Sequence, residues 1–95
     1  MSRAAAEQDV FRAVAEASRR VILDALAERP HSFRALHALL PLTKGAVSQH
    51  LAKLRLAQLV RTRRDGNRIF YAAENAHILR LVTEALFHAD HVTST

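Results

Sequence analysis

Two helical patterns bounded by prolines, set three residues apart and followed at once by a β-hairpin pattern, constrain this chain more than any other feature. Pro30 has no amide hydrogen and its ring clashes with the preceding turn, so it bars a helix from running through it. Ser32 can then cap a short helix carrying Phe33, Leu36, Leu39 and Leu40. Pro41 ends that helix, because the residue before a proline avoids helical angles. Pro41-Leu42-Thr43 forms the turn, and Thr43 can cap the next helix, which runs to about Ala57. Val47, Leu51 and Leu54 fall at i, i+4 and i+7 and define its inward face. The β-formers of Leu59-Val60-Arg61-Thr62-Arg63-Arg64 and Arg68-Ile69-Phe70-Tyr71-Ala72 flank the glycine-centred Asp65-Gly66-Asn67. Two helices joined by a three-residue turn make a helix-turn-helix, over residues 32–57. The hairpin over residues 59–72 makes it winged.

The flanking segments read as helices. Residues from about Ala4 to Ala15 carry Val10, Phe11 and Val14 at helical spacing. Ser18 is a candidate N-cap for a second helix, Arg19 to Ala27, with Ile22, Leu23 and Leu26 inward. Residues 75–91 form a last helix. The expectation is one domain over residues 1–95, mainly α with one β-hairpin and five helices. Phe11, Phe33, Phe70 and Tyr71 are expected to pack in the core and at the wing base.

Fourteen Lys+Arg against nine Asp+Glu leave a formal net charge of +5. That balance suits an anionic partner, nucleic acid first and a membrane surface second, but a merely basic soluble protein has it too. The placement of the charges decides. The helix after the turn opens on Thr43-Lys44-Gly45-Ala46, whose small residues let a phosphate approach the free N–H groups and the positive end of the helix dipole. Ser48 and Gln49 are one turn further in and can reach base edges in a major groove, while Lys44 and Lys53 suit phosphates. Arg61, Arg63, Arg64 and Arg68 put four cations on the hairpin. A cationic finger beside a recognition helix can follow the DNA backbone or enter the minor groove. The competing reading is an edge strand kept soluble by its charge. His50 can touch DNA or pack at the helix flank, and Gly45 can be a simple helix weakener.

The last helix carries His77, His88 and His91. At about 100° per residue, His88 lies about 20° from His77 and His91 about 40° the other way, so all three share a stripe. His77 and His88 are nevertheless about 16 Å apart along the axis. An ion holding imidazole nitrogens at about 2 Å cannot take both from one helix. Two copies running antiparallel across a two-fold axis can place His77 of one beside His88 and His91 of the other. The spacing therefore predicts a homodimer with two symmetric inter-subunit sites. The alternative is that these histidines line a helix–helix seam or face water.

The chain has no cysteine, which removes disulfides, thiolate metal sites and thiol redox sensing. An enzyme is not expected: there is no cysteine nucleophile, only Gly45 and Gly66 for a phosphate-cradling loop, and no evident carboxylate pair. There is no signal-peptide pattern and no stretch near the roughly 20 apolar residues of a membrane span, so a cytoplasmic protein without a membrane partner is expected.

Ala17-Ser18-Arg19-Arg20-Val21-Ile22-Leu23, Val47-Ser48-Gln49-His50-Leu51-Ala52-Lys53-Leu54, Leu59-Val60, and Arg63-Arg64-Asp65-Gly66 with Tyr71 resemble the ArsR/SmtB family of bacterial winged-helix repressors. The resemblance spans roughly residues 9 to 91. It implies a homodimer built on the first and last helices, binding to double-stranded operator DNA and, in many members, release of DNA on metal binding. Members similar to arsenic and cadmium sensors use cysteines on the third helix, where this chain offers only His31 and His37. Members similar to zinc, cobalt and nickel sensors use the last helix, with the pattern Asp-x-His-x10-His-x2-(His or Glu). Asn75, His77, His88 and His91 occupy those positions, with asparagine where the family has aspartate. The substitution removes one negative charge from the site. A histidine-rich, carboxylate-poor donor set favours nickel or zinc, with cobalt also open, over magnesium, calcium or manganese. The expected function is a metal-responsive transcriptional regulator, a repressor on an inverted-repeat operator. The alternatives are a metal-independent or partner-controlled DNA-binding regulator and a protein-interaction module.

Overall fold

The structure, a computed structural model, describes the backbone of residues 2–93 and the side chains of residues 2–88. In chain order the elements are α1 (Arg3–Glu28), β1 (His31–Ser32), α2 (Phe33–Ala38), α3 (Lys44–Leu56), β2 (Val60–Asp65), β3 (Arg68–Ala73) and α4 (Ala76–Thr93). The described residues form a winged helix with four helices, where the sequence suggested five. The two expected N-terminal helices are one continuous helix of 26 residues. Ser18, the proposed cap, is buried inside it at 2% exposure. No glycine or proline interrupts residues 3–28, and alanine is frequent there, so nothing disfavours continuation. Ser18 is a small residue on the core-facing side, alongside Ile22, and not a boundary.

The other boundaries follow their caps. The Ser32 hydroxyl accepts the Ala35 N–H at 3.0 Å and opens α2. The Thr43 hydroxyl accepts the Ala46 N–H at 3.1 Å and opens α3. The α2 helix ends at Ala38, so Leu39 is its C-cap and lies half exposed, while Leu40 is buried. The His37 ring bonds the Leu42 carbonyl at 2.9 Å, which ties α2 across the turn to the start of α3.

The α3 C-terminus is a Schellman motif without its usual glycine. Leu59 N–H donates to Leu54 O at 3.0 Å and Gln58 N–H to Arg55 O at 2.9 Å. Gln58 adopts φ 61°, a left-handed conformation that strains an L-residue. Leu54 and Leu59 both meet the core, so this turn aims the chain into the wing. Gln58→Gly should therefore raise stability by about 1 kcal/mol, or about 4–8 °C in melting temperature for a domain this size, measurable by thermal denaturation.

The sheet order is β1-β3-β2, all antiparallel. The two-residue β1, not anticipated, pairs His31 with Tyr71 and Ser32 with Phe70. Asp65 pairs with Arg68 across the wing turn, and Gly66 has φ 63°, the positive value that the first loop position of a II′ turn needs. The core joins Ile22, Leu23 and Leu26 of α1, Leu36, Leu40, the α3 trio Val47, Leu51 and Leu54, Val60 of β2 and Leu79 of α4. Phe33 and Tyr71 pack against it, as expected. Phe11 does not: it is 73% exposed and Val10 is 62% exposed. The first half of α1 extends beyond the body of the chain, leaving these side chains nothing to pack on within one copy.

Candidate nucleic-acid interface and histidine face

The α3 helix buries Val47, Leu51 and Leu54 and thereby presents its opposite side outward. Thr43, Lys44, Gly45, Ser48, Gln49 and Lys53 are all exposed on it. Thr43 satisfies only the Ala46 amide, so the N–H groups of Lys44 and Gly45 have no partner within the helix. A Cβ added at Gly45 would meet nothing within 4 Å. Packing within the chain therefore gives no reason for glycine there, whereas close approach by an outside group does.

Register divides the wing cations between two faces, since directly opposed residues share a side. Arg61, Arg63 and Arg68 lie on one face, opposite Ala72, Phe70 and Asp65 respectively. Arg64 lies on the other, opposite Ile69. All four side chains are exposed. Arg63 lies 6.0 Å from the Phe70 ring centroid, and Arg61 is 3.8 Å from the Glu74 carboxylate in an exposed pair worth little. Between α3 and β2 runs a groove of about 610 Å³ lined by Arg55, Leu56, Arg61 and Thr62. Arg55 was missed in the sequence. It falls at i+7 from Ser48, on the same exposed side of the helix, and that spacing was the available signal.

His50 sits at the flank of α3, half buried. Burial pushes its pKa below the ordinary histidine value of 6.5, and the charges of Lys53 and Arg19 lower it further. The unfolded chain then takes up this proton first as pH falls. Stability should decline as pH drops below about 6.5, down through the lowered native pKa, and His50→Gln should flatten that decline in urea titrations at a series of pH values.

On α4, Leu79 and Thr83 face the body, and His77 and His88 face away from it. His77 and His88 are exposed, next to the exposed apolar residues Ile78 and Leu81. The side chain of His91 lies outside the described residues. The Asn75 Oδ1 accepts the Ile78 N–H at 3.1 Å and so caps the helix. A carbonyl oxygen has a second lone pair, so this bond leaves it able to ligate. Among the described residues no three His, Cys, Asp or Glu side chains come together as a metal-holding group. His77 and His88 do share one open face of the helix, which fits donors offered to a second copy. Two contacts hold α4 in place: Arg80 donates to Ala27 O at 2.9 Å, at the negative end of α1, and the Arg20 guanidinium lies 4.6 Å over the Phe87 ring. Among the described residues no helix is long and apolar enough to cross a membrane.

The sequence profile described as "Bacterial regulatory protein, arsR family" matches residues 17–62. The chain is 51% identical over 83 residues to the HTH-type transcriptional regulator KmtR of Mycobacterium tuberculosis, covering 87% of this chain and 64% of that protein. It is 34% identical over 92 residues to the HTH-type transcriptional regulator NmtR of the same organism, covering 96% of this chain and 77% of the other. Among solved structures it is similar to the homodimeric winged helix-turn-helix DNA-binding domain Mb0332 of Mycobacterium bovis, with a TM-score of 0.63 and 26% identity, covering 100% of this chain and 94% of that one. The chain spans only 57–64% of the length of the first curated relatives it matches.

Proposed function

Because the chain belongs to the ArsR family of bacterial regulatory proteins, we propose that it is a metal-responsive transcriptional regulator that represses as a homodimer on an inverted-repeat operator, in the cytoplasm. The observation that carries this is the outward face of α3, its N-terminal amides uncapped at Lys44 and Gly45, set beside an exposed wing with four arginines. The Lys44 and Gly45 amides would take a phosphate, with Thr43 holding the helix start. Ser48 and Gln49 would read base edges, and Lys53, Arg61, Arg63, Arg64 and Arg68 would engage the backbone. Arg55 joins them from the groove between helix and wing. Two such helices would enter successive major grooves about 34 Å apart.

The exposed apolar side chains support the dimer. Val10 and Phe11 on α1 and Ile78, Leu81 and Leu86 on α4 lie on the first and last helices, and a second copy would cover them. Across that seam His77 of one copy and His88 and His91 of the other would hold nickel or zinc, with cobalt a third candidate, and Asn75 can add its oxygen. An ion bound there supplies a link between the two last helices. Because α4 is anchored to α1 through Leu79 and Arg80, a change at the seam reaches the spacing of the two α3 helices.

Gel-shift titration with and without nickel or zinc tests this. A coupling of about 1–3 kcal/mol changes DNA affinity 5- to 150-fold, and DNA must change metal affinity by the same factor. His88→Ala should abolish stoichiometric metal binding in calorimetry while leaving DNA binding in place. Equal DNA affinity with and without metal would favour the second reading, a metal-independent regulator. That reading draws support from Asn75, whose capping bond accounts for its presence without any ion.

A further inference from the structure

A cleft of about 390 Å³ lies where the overhanging half of α1 leaves α3. Arg12, Glu16 and Arg19 line it from α1, His50 and Lys53 from α3, and Leu86 closes it from α4. The Arg19 Nε is buried from solvent and has no hydrogen-bond partner. Leaving a charged group partly buried with an unpaired N–H is costly, and a counter-charge beside this guanidinium reduces that cost. Glu16 does not supply it. Among the described residues the ion pairs within 4.0 Å involve none of Arg12, Glu16, Arg19 or Lys53. Three cations against one carboxylate thus share a small, partly enclosed space. His50 adds a ring nitrogen, its pKa lowered first by burial and then by the charges of Lys53 and Arg19.

We propose that this cleft is an anion site that takes a phosphate-type oxyanion, with Arg12, Lys53 and the Arg19 guanidinium as its cationic partners. A tetrahedral oxyanion offsets the charges that line the cleft and draws Lys53, on α3, towards Arg19, on α1. An occupied site ties the recognition helix to the first helix. The oxyanion has two sources of the same chemistry, a backbone phosphate of bound DNA or a free phosphate group.

The test uses inorganic phosphate on the DNA-free protein, by calorimetry and thermal shift against chloride at equal ionic strength. The expected result is saturable binding and a melting temperature that rises with phosphate concentration. Arg19→Gln should remove both effects, as should the paired exposed-residue variant Arg12→Gln/Lys53→Gln, which tests the site without touching the buried atom. Lys44→Gln should keep them, which separates the cleft from the α3 N-terminus. In proton NMR titrations, phosphate should move the His50 pKa upward, since an anion stabilises the imidazolium. No saturable binding by the native chain, or binding that survives in both cleft variants, overturns the proposal. The salt dependence of DNA binding then tells the sources apart. Arg19→Gln lowers the slope by about 0.9 if a DNA phosphate fills the cleft and leaves it unchanged if a free anion does. Phosphate binding is measured without DNA, so its failure leaves the regulatory reading intact, and the reverse also holds.

Discussion

Leu79→Ala should destabilise the chain by about 2–5 kcal/mol, read as a lowered urea midpoint. Leu79 is 1% exposed and is the residue through which α4 joins the hydrophobic core. Truncation leaves a cavity between α4 and the body, and the rigid backbones on either side limit its collapse. For a domain whose total stability is typically about 5–15 kcal/mol, that is a large share. The remaining anchors of α4 are Arg80 on the Ala27 carbonyl and Arg20 over Phe87. None replaces the buried leucine. Leu81→Ala is the matched control. At 56% exposure it should change protomer stability by no more than about 0.5 kcal/mol, yet weaken a dimer that buries it. Sedimentation together with denaturation separates the two effects. Equal small losses from both variants would mean that α4 is not docked through Leu79.

Gln49→Ala should reduce operator affinity about 5- to 150-fold, the equivalent of about 1–3 kcal/mol for a lost base-edge contact. The side chain is exposed on the outward side of α3 and bears no packing load, so the fold should be untouched. Affinity for unrelated duplex should hardly change, nor should the salt slope, because no phosphate contact is removed. Arg64→Gln should do the opposite. It should weaken binding to all duplexes alike and lower the salt slope by about 0.9. A Gln49→Ala variant that weakens specific and unrelated DNA equally would place α3 outside the major groove.

Much of this architecture was legible from local chemistry. Ser32 and Thr43 each sit one residue before a helix and cap it as their hydroxyls predict. Val47, Leu51 and Leu54 are buried because the helical period puts them on one side of α3. Gly66 marked the wing turn because few other residues take its positive φ. The same local logic failed at Ser18. A serine is an equally good cap and an equally good small core residue, and only the path of α1 across the body distinguishes them. It failed again at Phe11, since an apolar residue at helical spacing predicts a buried face but not which molecule buries it. The strand β1 is two residues long and carries no periodic signal, so it exists only because β3 lies alongside. Arg55 was signalled by its i+7 spacing from Ser48 on α3, whereas the cleft around Arg19 required knowing which residues distant in sequence come together.

Caps, turns and helical periodicity act over a few residues, so the chain on its own specified the helix-turn-helix, the wing, the outward chemistry of α3 and the shared stripe of His77, His88 and His91. The length of α1, the docking of α4 through Leu79, the sorting of the wing arginines between two faces and the unpartnered Arg19 Nε were settled only by tertiary packing. Each depends on contacts between residues far apart along the chain, whose energies no local pattern encodes.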